Sequence, residues 1–424
     1  MNLNLLVDED YGIIQKIEKQ QNFKGEFPLH IYIASRNDVK NIKGEMLIPM
    51  VTNGSGFSLY SKDKAIKSAV GEAIERYCCA ITENHKIIYK SDEELNSCKL
   101  LLETITRYED WQYDEPYNIF DNVRSKKKLY WVEGFDVLKE QNLWVPAELV
   151  FMPPKISKDS MNIREAISTG LAAGPTKIEA LFSGIFECIE RDASIIMWLK
   201  EISFPRIKNE SIEEYEIQNT LKICYQLGLN VQIFDVTNNI PVPTYLVLIK
   251  NEKHVPHISI GTNCDTNQIK ALKGAIEEAL GCYHFYGIKC SDGKLSAPNF
   301  NDLSEINSIQ DHPIYYALGY GSENLEFLEN GKVKDFNPNE YEELSKEDLI
   351  LYMKNLGLSI YSIDLTTKDV KNTGIHVVKT VIPELANLDC KFPLLKCARL
   401  NSVPASMNYS YNSDNFNLSP HPFP

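Results

Sequence analysis

Apolar residues recur at helical spacing in three stretches of the chain. From Ala65 to Ala80 they fall at Ile66, Ala69, Val70, Ala73, Ile74 and Tyr77, a stripe with the period of an amphipathic helix. Thr176 to Leu199 carries the same pattern behind Gly174-Pro175-Thr176, where the proline helps to stop one element and start the next. Gln268 to about Tyr286 makes a third. Shorter runs have strand character: Leu129–Val137, Leu143–Phe151, Val231–Asp235, Pro243–Ile249, His257–Ile260 and the β-branched His376–Ile382, closed by Pro383. Helices and strands interleave without the regular rhythm of a doubly wound parallel sheet. The expectation is an α+β fold of mixed sheets and helices in one large domain, residues 51–411, with an N-terminal segment over 1–50.

Composition narrows the function classes. Of 424 residues, 43% are hydrophobic, enough to bury a sizeable core, and 58 Asp+Glu against 44 Lys+Arg give a net charge of −14. That balance speaks against a nucleic-acid binder. Ten cysteines without a C-x-x-C spacing suggest reduced thiols. The first ten residues lack a basic, then apolar, export pattern, and no apolar run reaches membrane-spanning length, so a cytoplasmic protein is expected. Gly54-Ser55-Gly56 lacks the rest of a phosphate loop and reads as a turn. His254-Val-Pro-His257 reads as a solvated loop rather than a zinc site.

The sharpest signal is a repeat. Ser68-Ala-Val-Gly-Glu72-Ala-Ile-Glu75-Arg76 recurs as Ser183-Gly-Ile-Phe-Glu187-Cys-Ile-Glu190-Arg191. Both copies read S-x-x-x-E-x-x-E-R, which places Ser, both Glu and Arg on one face of a helix. Two Glu one turn apart repel unless a cation lies between them. Magnesium favours carboxylate oxygens and keeps substrate phosphates in its shell, and arginine recognises phosphate, so the pattern points to a metal with a polyphosphate. The third helix offers Gly274-Ala-Ile-Glu277-Glu278, with Glu278 in register but no second Glu or Arg.

These helices resemble those of the YcaO family. Ser168-Thr-Gly-Leu-Ala-Ala-Gly174 leading into Glu187-Cys-Ile-Glu190-Arg191-Asp192-Ala193 is similar to the family's central signature. Trp131–Gly134, Val145-Pro146-Ala147 and Val377–Pro383 resemble flanking segments, so the likeness runs from about residue 50 onward. It implies ATP and Mg2+ as cofactors, with Glu72, Glu75, Glu187, Glu190 and Glu278 as metal ligands. Arg191 would contact the phosphates and act catalytically, and Ser68, Ser183 and Arg76 would lie at the nucleotide. Two departures stand against this: Gly54-Ser55-Gly56 holds no lysine where the family often has one, and Gly274 stands where an arginine is common.

The last residues, Asn412 to Pro424, form an extended Pro-rich tail ending Pro420-His-Pro422-Phe-Pro424. This terminus resembles that of azoline-forming members, in which ATP activates a backbone amide for attack by a Cys, Ser or Thr side chain. It implies a cyclodehydratase, with a thioamidase or a non-catalytic ATP-binding scaffold as the alternatives. A chain ending at Pro424 would leave a carboxylate as a candidate catalytic base. The expected partners are a precursor peptide, a separate leader-binding or E1-like protein, since the N-terminal 50 residues are too few to supply both domains, and a flavin-dependent azoline dehydrogenase. A homodimer is compatible with these expectations.

Overall fold

The structure is a computed structural model that describes residues 5–23, 26–37, 53–115, 118–153, 159–291, 305, 308–388 and 392–424. The boundary expected near residue 50 lies outside the described residues.

Three sheets organise them. The first is an antiparallel array of β1 (Ile14–Lys19), β2 (His30–Arg36) and β3 (Gly54–Ser58). The largest runs in the order β4 (Ile87–Lys90), β5 (Leu129–Asp136), β13 (Tyr361–Asp364), β14 (His376–Val381) and β7 (Leu171–Gly174), with β6 (Gln141–Pro146) paired to β5. The third runs β11 (Ile258–Cys264), β10 (Thr244–Lys250), β9 (Asn230–Asp235), β8 (Arg206–Ile207) and β12 (Val333–Lys334). Among the described pairings of strand with strand only β8 with β12 is parallel, in keeping with an α+β fold. The helices are α1 (Lys62–Ala80), α2 (Lys177–Lys200), α3 (Tyr215–Gln226), α4 (Gln268–Ser291), α5 (Asp311–Ala317), α6 (Lys346–Asn355), α7 (Lys368–Lys371) and α8 (Arg399–Ser406).

Gly54-Ser55-Gly56 is not a turn but the body of β3, and the reason is packing. A Cβ on Gly54 would fall 2.0 Å from the Ala69 carbonyl oxygen, and one on Gly56 would fall 2.0 Å from that of Ala65. The strand therefore lies directly on α1, whose facing positions Ala65, Ala69 and Ala73 are equally small and wholly buried. The third sheet repeats the device. A Cβ on Gly261 in β11 would meet Ala279 N at 2.1 Å and Ala275 O at 2.6 Å, and Ala271, Ala275 and Ala279 line that face of α4. With no side chain between strand and helix, the next turn of each helix is fixed tightly over the neighbouring backbone.

Helix α2 is capped by Thr176, whose side chain accepts from the Glu179 N–H, and it stops where Glu201 turns left-handed at φ 48°. It packs on β14 and β7 with one side and on β11 with another. The run expected as a strand from Leu143 to Phe151 instead ends at Pro146 and turns into a short 3-10 helix, Ala147–Leu149. The tail is bound, not frayed. The Asn412 and Asn417 N–H groups donate to the Lys200 and Leu199 carbonyls at 2.7 and 2.9 Å, closing the end of α2. Trp198 Nε1 donates to the Ser419 carbonyl at 3.2 Å, and Tyr316 Oη donates to that of Pro420. Phe423 is completely buried, edge-on to Trp198, which contributes about 1.5–3 kcal/mol of docking for a Phe-sized side chain.

Candidate active site

Helices α1, α2 and α4 deliver their carboxylates to the wall of one cavity of about 2460 Å³. Glu72, Glu187 and Glu278 are each held by their own strand unit. Glu72 accepts from Ser55 N at 2.7 Å and Ser55 Oγ at 3.0 Å on β3. Glu187 accepts from Gly170 N at 3.0 Å, just before β7, and Glu278 from Thr262 N at 2.5 Å on β11. Gly170 has φ 82°, which a side-chain-bearing residue rarely adopts, and a Cβ there would lie 2.2 Å from the Thr380 carbonyl oxygen.

The second Glu reaches across to the next unit. Glu75 on α1 accepts from Ala173 N of β7 at 2.6 Å. Glu190 on α2 accepts from Thr262 Oγ1 of β11 at 2.7 Å. The units thus follow one another around the cavity as α1 to α2 to α4. On α4 the matching position is Gly281, and a Cβ there would sit 2.7 Å from the Phe57 ring of β3. Glu277 makes the polar link instead, accepting from Ser58 Oγ at 2.9 Å and Leu59 N at 3.1 Å and pairing with Lys64.

The electrostatics are those of crowded acids waiting for cations. Burial, with Glu72 and Glu187 nearby, pushes the Glu75 carboxyl up to about 8 against the opposing Ala173 N–H. Burial and Glu190 push Glu278 up to about 8 as well. Glu187 is raised mainly by burial, with Arg191 opposing it and Glu190 adding to it. Arg191 is buried, and although burial disfavours its charge, Glu190, Glu278 and Glu187 outweigh that and hold the guanidinium firmly protonated. Among the described residues its Nε and Nη1 have no hydrogen-bond partner, and Nη1 stands 3.8 Å from Glu190 Oε1. A buried guanidinium with donors to spare, beside raised carboxyls, fits a ligand made of cations and oxyanions.

Among the described residues, no three His, Cys, Asp or Glu side chains gather closely enough to cage a metal unaided. Paired carboxylates nevertheless suit Mg2+, which takes one or two from the protein and completes its octahedron with phosphates and water. The donor set therefore fits Mg2+ with a nucleotide, and Glu72, Glu75, Glu187, Glu190 and Glu278 are the residues that could hold it.

The remaining expected residues are also placed. Ser68 and Ser183 are exposed on the cavity wall. Arg76 lines it too, 3.7 Å from Glu72, with its buried Nε unpartnered among the described residues. Pro424 borders the same cavity, 234 positions beyond Glu190 in sequence yet brought to it by the docked tail. Gly274 is covered by the Asn263 side chain, which a Cβ would meet at 2.4 Å. His257 donates Nδ1–H to the Asn251 carbonyl at 2.8 Å, as befits a loop histidine.

Lys379 escaped the sequence reading. It is buried on β14, and its Nζ donates to the Ile167 and Thr169 carbonyls at 2.7 and 2.8 Å, so it fixes the loop that presents Gly170 to Glu187. Its signal was a lysine inside the apolar run HVVKTV. The backbone donors Ser55, Ala173 and Thr262 had no sequence signal, because any residue supplies an N–H.

Solved structures share this fold. A heterocyclase solved in complex with substrate and cofactor superposes with a TM-score of 0.77 at 17% identity, over 99% of this chain and 56% of that one. The Methanopyrus kandleri YcaO bound with AMPPCP and Mg2+ gives 0.57 at 16% identity, over 88% and 86%. The E. coli microcin synthetase McbBCD complex gives 0.64 at 15%, over 88% of each. A Rhizobium leguminosarum bv. trifolii protein of the tfuA 3' region is 28% identical over 169 residues, 38% of this chain and 40% of that protein. The chain thus spans about half the length of the first of these solved heterocyclases and less of the Rhizobium relative. The family model described as YcaO cyclodehydratase, ATP- and Mg2+-binding, matches residues 54–386, which hold the carboxylates on α1, α2 and α4, and the chain belongs to the YcaO family.

Proposed function

We propose that the chain is an ATP- and Mg2+-dependent peptide cyclodehydratase that converts Cys, Ser or Thr of a precursor peptide to thiazoline or oxazoline. One observation carries the reading: carboxylates from α1, α2 and α4 and the donor-rich Arg191 converge on a cavity that the docked tail also borders at Pro424. Bound Mg2+ and ATP would supply the phosphoryl group and neutralise its charge. Glu72, Glu75, Glu187, Glu190 and Glu278 would hold the ions, Arg191 would stabilise the transferring phosphate, and Ser68, Ser183 and Arg76 would flank the nucleotide.

The chemistry balances. The peptide side chain attacks the preceding carbonyl carbon and loses its proton, and the resulting oxyanion takes the γ-phosphoryl group as ADP leaves. The amide nitrogen then loses its proton and forms the C=N bond as the C–O bond breaks and phosphate departs with the former carbonyl oxygen. The enzyme's share is positioning and charge, which lets a poor leaving group become a good one. The position of Pro424 on the cavity border supports a catalytic role for the end of the tail, with a terminal carboxylate as base for the attacking side chain.

A leader-binding or E1-like partner and a downstream flavin dehydrogenase complete the proposed assembly, a reading supported by the likeness to the E. coli microcin synthetase McbBCD complex. Incubation with ATP, Mg2+, the precursor peptide and that partner, read by intact mass, decides between reactions. Each ring removes one water, about 18 Da, whereas exchange of oxygen for sulfur adds about 16 Da. Gain of 16 Da would make the enzyme a thioamidase. An unchanged peptide alongside ATP hydrolysis would remove the cyclodehydratase reading.

A further inference from the structure

The run Pro420-His-Pro-Phe-Pro424 carries backbone N–H groups only at His421 and Phe423, because proline has none. Helix α5 grips the peptide unit that joins Pro420 to His421 by both of its polar groups. Tyr316 Oη donates to the Pro420 carbonyl, and the His421 N–H donates to His312 Nδ1 at 3.1 Å. His312 and Tyr316 stand one turn apart on α5, so their side chains share a face of it. The His312 ring also stacks on that of His421, with centroids 4.2 Å apart, and Asn324 Nδ2 donates to Tyr316 Oη at 3.3 Å. His312, Tyr316 and His421 are all buried.

Another side of α5 is fixed to the helix that carries Glu278. Ile314 and Ala317 pack against Cys282 and Tyr286 of α4, one and two turns beyond Glu278 along the same side of that helix. The tail is thereby tied, through α5, to an element of the carboxylate site. Neither His312 nor Tyr316 is among the described residues that line the cavity, so both act on it through the tail.

We propose that His312 and Tyr316 are positioning residues that fix the register of the tail, and so the place of Pro424, for the cyclisation proposed above, on which this role rests. The alternation of proline makes that register unique. Sliding the tail by one residue in either direction would present His312 with the nitrogen of Pro420 or Pro422, which has no hydrogen to donate. It would also carry Pro424 about 3 Å from its place, the rise per residue of an extended proline-rich segment. A misplacement of about 1 Å in a reacting constellation already costs on the order of 100-fold. Sliding by two residues would pull Phe423 from its buried seat edge-on to Trp198. A clamp that reads one N–H between two prolines therefore admits the tail in a single register.

Two readouts test the clamp: amide hydrogen exchange of the peptide Leu418–Pro424 by mass spectrometry, which needs no turnover, and ring formation at saturating ATP and precursor peptide. His312→Leu and Tyr316→Phe should each speed exchange and slow ring formation by on the order of tenfold, as for one lost hydrogen bond, while Mg2+–AMPPCP binding stays within a few-fold of wild type. His312→Asn, whose Oδ1 offers an acceptor in place of Nδ1, should recover most of both. On the tail, with α5 untouched, His421→Ala keeps the N–H and His421→Pro removes it, so the proline variant should form rings on the order of tenfold more slowly than the alanine variant. Unchanged exchange in both α5 variants would overturn the clamp. So would equal ring formation by His421→Ala and His421→Pro, or failure of His312→Asn to recover what His312→Leu loses. A wild-type enzyme that forms no ring would overturn the cyclodehydratase reading instead, with exchange still deciding the clamp.

Discussion

At the scale of single residues, Arg191 is the side chain whose surroundings ask most clearly for a ligand. It is buried, its Nε and Nη1 lack hydrogen-bond partners among the described residues, and three glutamates keep it charged. Leaving such donors unmet in a finished structure is costly unless something else binds them. Arg191→Lys keeps the charge but loses the planar fork, so turnover of ATP with peptide should fall by on the order of 100-fold, as for a lost contact in a preorganised site. A variant turning over at the wild-type rate would make Arg191 a structural residue. The spacing of Ser, Glu, Glu and Arg made this residue legible, because a helix fixes which positions share a face. Lys379 was hidden for the converse reason: strand position says nothing of the Ile167 and Thr169 carbonyls that a fold brings to it from across the chain.

At the scale of elements, long amphipathic helices were the most readable part. The expected stretches from Ala65, Thr176 and Gln268 are α1, α2 and α4, shifted by a few residues at their ends. Strand β3 was misread because glycine's usual role is in turns, while here it removes side chains between a strand and Ala65 and Ala69. That is a tertiary demand, absent from local propensity. The tail shows the same limit. Its prolines announce an extended segment, but docking depends on Trp198 and Tyr316, which no pattern within the tail could reveal. Removing Pro420–Pro424 should leave Mg2+–AMPPCP binding within a few-fold of wild type and cut ring formation more than tenfold, since the carboxylates sit on other elements. Ring formation at the wild-type rate after this truncation would remove the tail from the mechanism.

For the whole molecule, the S-x-x-x-E-x-x-E-R repeat disclosed the chemistry without the arrangement. Nothing in it says that α1 should hand Glu75 to β7, or that α2 should hand Glu190 to β11, yet this handing-on closes a ring of acids around one cavity. The central claim is that this ring is a metal–nucleotide site, and calorimetric binding of AMPPCP with Mg2+ or with EDTA tests it most directly. Wild type should bind only with Mg2+, and Glu187→Gln/Glu190→Gln should not bind while keeping the wild-type circular dichroism, because removing like charges relieves repulsion in the metal-free cluster. Equal binding of AMPPCP in EDTA, or by the folded double variant with Mg2+, would contradict it.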